Sequence, residues 1–162
     1  MSLGNIYEWR RGDHLISTDP SLLDVDLVSS YLSNESYWAR GIPRETVARS
    51  LGGSVVFGLY QKMHQIGFAR VISDLATIAY LGDVFVLEPH RGQGLSKWLM
   101  ESVLSHPQLQ GLRRWILATR DAHELYQRYG FASLVSPEKF MELHDPGVYG
   151  LGVEAMGSRT KR

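Results

Sequence analysis

At 162 residues the chain fits one compact domain, long enough to enclose a core without disulfide or metal staples. Hydrophobic residues make up 44% and charged residues 21%, a globular composition, and the zero formal net charge supplies no field to draw in nucleic acid or an anionic membrane, so neither is an expected partner. The absence of cysteine excludes disulfides, thiolate metal ligands and a cysteine nucleophile, and fits a reducing, cytoplasmic setting.

No apolar run approaches membrane-spanning length, and no basic-then-apolar leader is read at the N-terminus. Residues 1–4 and the polar, basic stretch 157–162 are expected to fray. Short strands are predicted at Ile6–Trp9 and Leu15–Thr18, around a turn at Arg11-Gly12-Asp13. Asp19-Pro20 reads as a helix start, carboxylate cap then proline, leading into an amphipathic run to Tyr31. Ser33 to Gly41 reads as a loop, and a second, short helix follows Pro43 to Leu51. Ser54–Tyr60 and Gln65–Ile72 form a predicted hairpin, and Thr77–Leu87 a third β-rich run. A glycine-rich turn then opens a helix carrying Leu95, Trp98, Leu99 and Val103, which stops before Pro107. Trp115–Ala118 is another strand, Ala122 to Tyr129 another helix with Gly130 as its left-handed cap, and Phe131–Val135 and Phe140–Leu143 are predicted closing strands. This order implies a single domain over residues 1–162, in the α/β (α+β) class, with a mixed, partly parallel central sheet.

The most informative stretch is the passage from Asp83 to Ser96, where a buried strand runs through a tight turn straight into a helix. Glycines at 92 and 94 let the backbone come close to a ligand, and the first helical turn leaves N–H groups free to meet phosphate oxygens. Arg91 can add a charge-assisted contact. A plain strand-to-helix connection has the same local chemistry. A P-loop is excluded because Gly94-Leu95-Ser96-Lys97 lacks the Gly-Lys-Ser/Thr ending. The dinucleotide fingerprint is excluded because Lys97 stands at its third glycine.

Arg91-Gly92-Gln93-Gly94-Leu95-Ser96, following Val86-Leu87-Glu88-Pro89, resembles the Arg/Gln-x-x-Gly-x-Gly/Ala signature of the GCN5-related N-acetyltransferase (GNAT) family. Ser96 departs from the usual final residue but is also small. Downstream, Ala122 to Phe131 is similar to that family's Ala-x-x-x-Tyr-x-x-x-Gly-Phe block, and the element order matches along essentially the whole chain. The resemblance implies acetyl-CoA as donor and direct acetyl transfer to an amine in a ternary complex. A non-catalytic CoA-binding module on the same fold is the alternative.

Carried over by position, the resemblance implies that Arg91, Gly92, Gln93, Gly94, Leu95 and Ser96 hold the pyrophosphate through backbone N–H groups. It places Phe85 and Val86, with Val84, along pantetheine. It also implies that the strands at Val84–Leu87 and Trp115–Thr119 splay to admit the cofactor arm. Tyr126 matches the tyrosine that faces the cofactor sulfur; a phenol, with its ordinary pKa of about 10, can hydrogen-bond to or protonate a departing thiolate. Read locally, Tyr126 is equally a core aromatic beside Leu125 and Tyr129. Thr119 stands where relatives often carry an asparagine. His123 lies one helical turn before Tyr126 and is expected at the cofactor or as a structural histidine.

The proton-removing group is less determined. Gly82 occupies the position where some relatives carry a glutamate. Asp83 is the candidate base, although strand alternation points it to the opposite face unless a bulge intervenes. Asp74 and Tyr80 are further candidates. On the acceptor side, Glu35, Tyr37 and Trp38, together with Tyr80, offer a carboxylate and aromatic faces suited to a cationic amine, either a small molecule or a peptide. The histidines show no metal-ligand spacing, so no metal is expected. The apolar stretch from Val148 to Met156 suggests a homodimer.

Overall fold

The computed structural model describes residues 4–150, so of the termini expected to fray only Gly4 falls within it. Six strands form one sheet in sequence order: β1 (Glu8–Arg11), β2 (His14–Ser17), β3 (Val55–Gln61), β4 (His64–Ser73), β5 (Ile78–Val86) and β6 (Arg114–Leu117). The first five make an antiparallel meander, and β6 lies parallel to β5. Four helices flank it: α1 (Val25–Ser30), α2 (Arg44–Leu51), α3 (Leu95–Leu104) and α4 (His123–Gln127). None is long and apolar enough to cross a membrane.

Both faces of the sheet are covered, which is why β3 reads as an almost unbroken apolar run. On one face Trp98, Leu99, Met100 and Val103 of α3 pack with Phe57, Leu59, Val71 and Leu81. On the other, Val28, Tyr31, Leu32 and Val47 pack with Val56, Phe68 and Phe85. The β3–β4 hairpin closes on Lys62 (φ 47°) and Met63 (φ 66°), the left-handed geometry a two-residue turn demands, here without the usual asparagine and glycine.

Two expectations are corrected. The helix expected from Asp19 to Tyr31 is broken into pieces because two carboxylates compete as caps. Asp19 accepts the Ser21 N–H at 2.9 Å and starts only a 3-10 turn, Pro20–Leu22. Leu23 is then extended, and Asp24 starts α1 by accepting the Leu27 N–H at 2.9 Å. The chain next widens into a π turn, Tyr31–Glu35, closed by the Ser36 N–H on the Tyr31 carbonyl at 3.0 Å, so the loop begins only after Glu35.

The closing strands Phe131–Val135 and Phe140–Leu143 do not form either; among the described residues no strand follows β6. Phe131 is held back by an edge-to-face contact with Tyr126, ring centroids 5.9 Å apart. Residues 131–134 then line a groove of about 200 Å³ beside β6 instead of bonding to it. Phe140 returns only as far as the Arg114 guanidinium, 5.0 Å from its ring.

Candidate active site

The parallel pair β5 and β6 holds from Ile78↔Arg114 to Leu81↔Leu117. There β6 ends, while β5 continues to Val86. The chain leaving β6 turns at Thr119, whose Oγ1 accepts the Ala122 N–H at 3.1 Å, and enters α4. The outer half of β5 therefore lacks a strand neighbour on this side, which is the opening expected between Val84–Leu87 and Trp115–Thr119.

Beyond β5 the glycine-rich turn leads into α3. Gly92 (φ 78°) and Gly94 (φ 77°) are left-handed, and a β-carbon at either would meet no atom within 4 Å. Glycine is thus required by backbone geometry rather than crowding, and the space above the turn is open. A cavity of about 300 Å³ there is lined by Val86, His90, Arg91, Gly92, Gly94, Leu95, Ser96, Lys97 and Leu125. The Leu95 side chain is buried in the core, so what it offers is its N–H. Gln93 is exposed and is not among the lining residues. The N–H groups of the first turn of a ten-residue helix point here with the positive end of its dipole.

Arg91, though exposed, folds its side chain back onto the protein. Its Nε donates to the Val86 carbonyl at 2.9 Å and its Nη2 to the Tyr31 hydroxyl at 3.1 Å. Tyr31 in turn stacks on Phe85, ring centroids 3.8 Å apart. Burial pushes the Tyr31 hydroxyl above its ordinary pKa, partly opposed by the charge of Arg91. Tyr129 braces the first turn of α3 by donating to the Lys97 carbonyl at 3.0 Å. Sequence reasoning missed the bracing roles of Tyr31 and Tyr129. Both looked like members of apolar helix faces, and nothing local marks a hydroxyl that reaches across the fold.

Tyr126, on α4, faces the opening beside the end of β6. Its side chain is buried, it lines a larger cavity of about 580 Å³, and its hydroxyl has no hydrogen-bond partner among the described residues. Burial, with lesser contributions from Tyr37 and Asp121, pushes the hydroxyl up to about 12. It therefore keeps its proton throughout the neutral range. Thr119 lines the same cavity, whereas His123, at the start of α4, is exposed and lines the neighbouring hollows.

The larger cavity is also walled by Tyr37, Trp38, Arg70, Tyr80, Gly82, Asp83 and Val84. Its floor is the open face of β5, where Tyr80 is exposed while Ala79 and Leu81 point into the core. A bulge decides the position of Asp83. The register passes from Phe68↔Phe85 to Arg70↔Gly82, one extra residue on β5, and Asp83 takes φ 54°. Its carboxylate swings to the Arg70 side, accepting Arg70 Nε on Oδ2 at 2.8 Å and Trp38 Nε1 on Oδ1 at 2.8 Å. Tyr37 accepts the Arg120 N–H at 2.8 Å, and the Arg120 guanidinium lies 3.9 Å over its ring. Tyr37 and Trp38 are thereby tied to opposite sides of the cavity.

Other candidates lie elsewhere. Glu35 ends the π turn, exposed and outside the cavity lining. Asp74 is committed to the β4–β5 turn, accepting from Ala76, Thr77 and Ile78, and these hydrogen bonds hold it well below the ordinary carboxylate range. Arg70 was missed, although a charged residue between Ala69 and Val71 in an apolar strand was a usable signal. No group of three or more His, Asp or Glu able to hold a metal occurs among the described residues.

Known proteins share this architecture. A family model described as an acetyltransferase (GNAT) domain matches residues 52–133. A protein from Gibberella zeae, named provisionally as an acetyltransferase, is 36% identical over 140 residues, covering 73% of this chain and 78% of its own length. A crystal structure from Xanthomonas campestris pv. campestris, described provisionally as an acetyltransferase of the GNAT family, is 52% identical. It superimposes with a TM-score of 0.84, covering 86% of this chain and 99% of that one. The Arabidopsis thaliana glucosamine-6-phosphate N-acetyltransferase, at 14% identity and a TM-score of 0.54 over 88% of this chain and 98% of its own, shares the fold alone.

Proposed function

Because this chain belongs to the GNAT family of acetyltransferases, we propose that it is an N-acetyltransferase that takes acetyl from acetyl-CoA and passes it directly to the primary amine of a small molecule or peptide. When bound, the cofactor supplies an activated thioester. The observation that carries the reading is that the stretch of β5 beyond its pairing with β6 borders two cavities, one over the glycine turn reached at Val86 and one lined by Tyr126 and reached at Val84.

The backbone N–H groups from Gly92 to Ser96 fit a pyrophosphate, since both glycines adopt left-handed geometry under open space. Val84, Phe85 and Val86, on the half of β5 without a β6 partner, offer main-chain groups to the pantetheine amides. Thr119 and His123 flank the same opening. Tyr126 holds a proton at its hydroxyl oxygen and offers it toward the departing sulfur. With the hydroxyl near 12 and a thiol near 8.5, complete transfer would be uphill by roughly 5 kcal/mol. Tyr126 therefore acts by hydrogen-bonding the developing charge.

Asp83 is the proposed base. Each of its oxygens accepts one hydrogen bond and keeps a lone pair for the amine's proton. Tyr37, Trp38 and Tyr80 provide aromatic faces for the amine, and Glu35, outside the cavity, could act only at its entrance. A homodimer belongs to the same reading and is tested by sedimentation equilibrium. Of the Val148–Met156 stretch that suggests it, residues 151–156 lie outside the described residues, and the exposed Val135, Met141 and Leu143 add apolar surface for a second copy to cover. A cytoplasmic setting is part of this reading, following from the cysteine-free sequence.

The reading is tested by calorimetric titration with CoA and by thiol release from acetyl-CoA across an amine panel. CoA binding with turnover of at least one amine, lost in Asp83→Asn, is the expected result. Binding without turnover of any amine points instead to a CoA-binding module.

A further inference from the structure

Resting on that reading, we infer that Arg70 anchors a carboxylate of the acceptor, so that the amines taken are those bearing a carboxylate close to the nitrogen, as α-amino acids do. Arg70 is pinned on two sides: Nε donates to Asp83 Oδ2 at 2.8 Å and Nη1 to Ser54 Oγ at 3.1 Å. These contacts hold a guanidinium, whose side chain is only 18% exposed, in one orientation. Its Nη2 has no partner among the described residues, and Arg70 lines the large cavity with Tyr80, Asp83 and Tyr126. A half-buried guanidinium with an unengaged edge calls for an oxygen acceptor, and a carboxylate or similar oxyanion is its strongest match.

The strand opposite keeps that edge uncovered. Arg70 pairs with Gly82, so the cross-strand neighbour that would shade the guanidinium has no side chain. A β-carbon there would sit 3.3 Å from the Tyr80 ring, so a side chain at 82 would crowd this wall of the cavity. The order of charges matters as well. Arg70 and Asp83 form an adjacent positive–negative pair on one wall. An amino acid carries the complementary pair at comparable spacing, carboxylate to Arg70 and amine to Asp83. A carboxylate-free polyamine would satisfy Asp83 and leave Arg70 unmatched. The cavity's other arginine, Arg120, is 68% exposed at the rim and stacked on Tyr37, so it lacks the fixed orientation that selection requires.

The test is thiol release from acetyl-CoA with matched pairs of α-amino acids and their C-terminal amides, which keep the amine and remove the charge. In the native protein the acids are expected to exceed the amides in kcat/KM by at least about 10-fold. In Arg70→Gln that ratio falls by about 10- to 100-fold, the scale of a hydrogen bond to a charged group. Arg70→Lys keeps the charge without the fork and retains part of the preference. Reading the ratio removes any general effect of the substitution on folding. Amides that serve as well as acids, or a ratio unmoved in Arg70→Gln, overturns the assignment while leaving acetyl transfer intact. Should no amine release thiol, calorimetry of each acid and amide with the CoA-loaded protein decides. A preference for the acid that vanishes in Arg70→Gln supports the anchor, and equal or absent binding overturns it.

Discussion

The Nε of Arg91 donates to the carbonyl of Val86 at 2.9 Å, so the arginine of the glycine-rich signature locks its own turn onto the end of β5. The same side chain reaches Tyr31 at 3.1 Å, linking turn, strand and π turn. Arg91→Ala is therefore expected to raise KM for acetyl-CoA by about 10-fold with a small change in kcat, because it loosens the cradle rather than the reacting end. Arg91→Lys should not restore it, since one ammonium cannot span two acceptors on different elements. Steady-state kinetics with CoA calorimetry checks both.

Gly94 gives a separate handle on the same cradle. At φ 77° any other residue pays a left-handed penalty, but the β-carbon meets no atom within 4 Å. Gly94→Ala should lower stability by roughly 1–2 kcal/mol through backbone strain alone. The loss should be visible as a lower urea midpoint at unchanged slope. A change in slope would mean that the substitution reorganised α3.

How far the sequence carried these conclusions follows from what kind of interaction fixes each part. Strands β2 to β6 and helices α2 and α3 were legible because periodicity, prolines and glycines act locally. The cofactor turn was legible because consecutive residues build it. Long-range pairing was not. The bulge that turns Asp83 toward Arg70 depends on a register set between two strands, and the Trp38–Asp83 contact joins residues 45 positions apart. The closing strands failed for the same reason. Their apolar alternation allowed a ladder on β6, but residues 131–134 line a groove beside that strand, and among the described residues no strand pairs with its far edge.

Tyr126→Phe removes one hydroxyl and keeps the buried ring. The expected result is a fall in kcat of about 10- to 100-fold with KM for acetyl-CoA little changed, as for a hydrogen bond to developing charge. With the hydroxyl at about 12, the alkaline limb of the native rate profile should show no tyrosine ionisation below about pH 11. A limb near pH 10 that disappears in Tyr126→Phe would show a hydroxyl less enclosed than its burial implies.

His106 makes stability depend on acidity far from the reaction. The ring is fully buried, with its centroid 4.8 Å from that of Tyr7 and 5.6 Å from that of Phe57. Its Nδ1 accepts the Gln108 N–H at 3.2 Å, so the neutral ring carries its proton on Nε2, which has no partner. Burial pushes the imidazole below its ordinary pKa. As pH falls through about 6.5 the unfolded chain takes up a proton that the folded chain refuses. The unfolded state then binds more protons, so the stability present above that pH declines on acidification until the depressed folded value is passed. His106→Asn keeps a capping oxygen for Gln108 and leaves a smaller side chain, so it should be less stable at pH 8. Its stability should nevertheless decline less steeply between pH 6.5 and 5. Urea midpoints across that range, native against variant, isolate the one histidine from the others. Parallel slopes would mean that the folded state accommodates the charged ring.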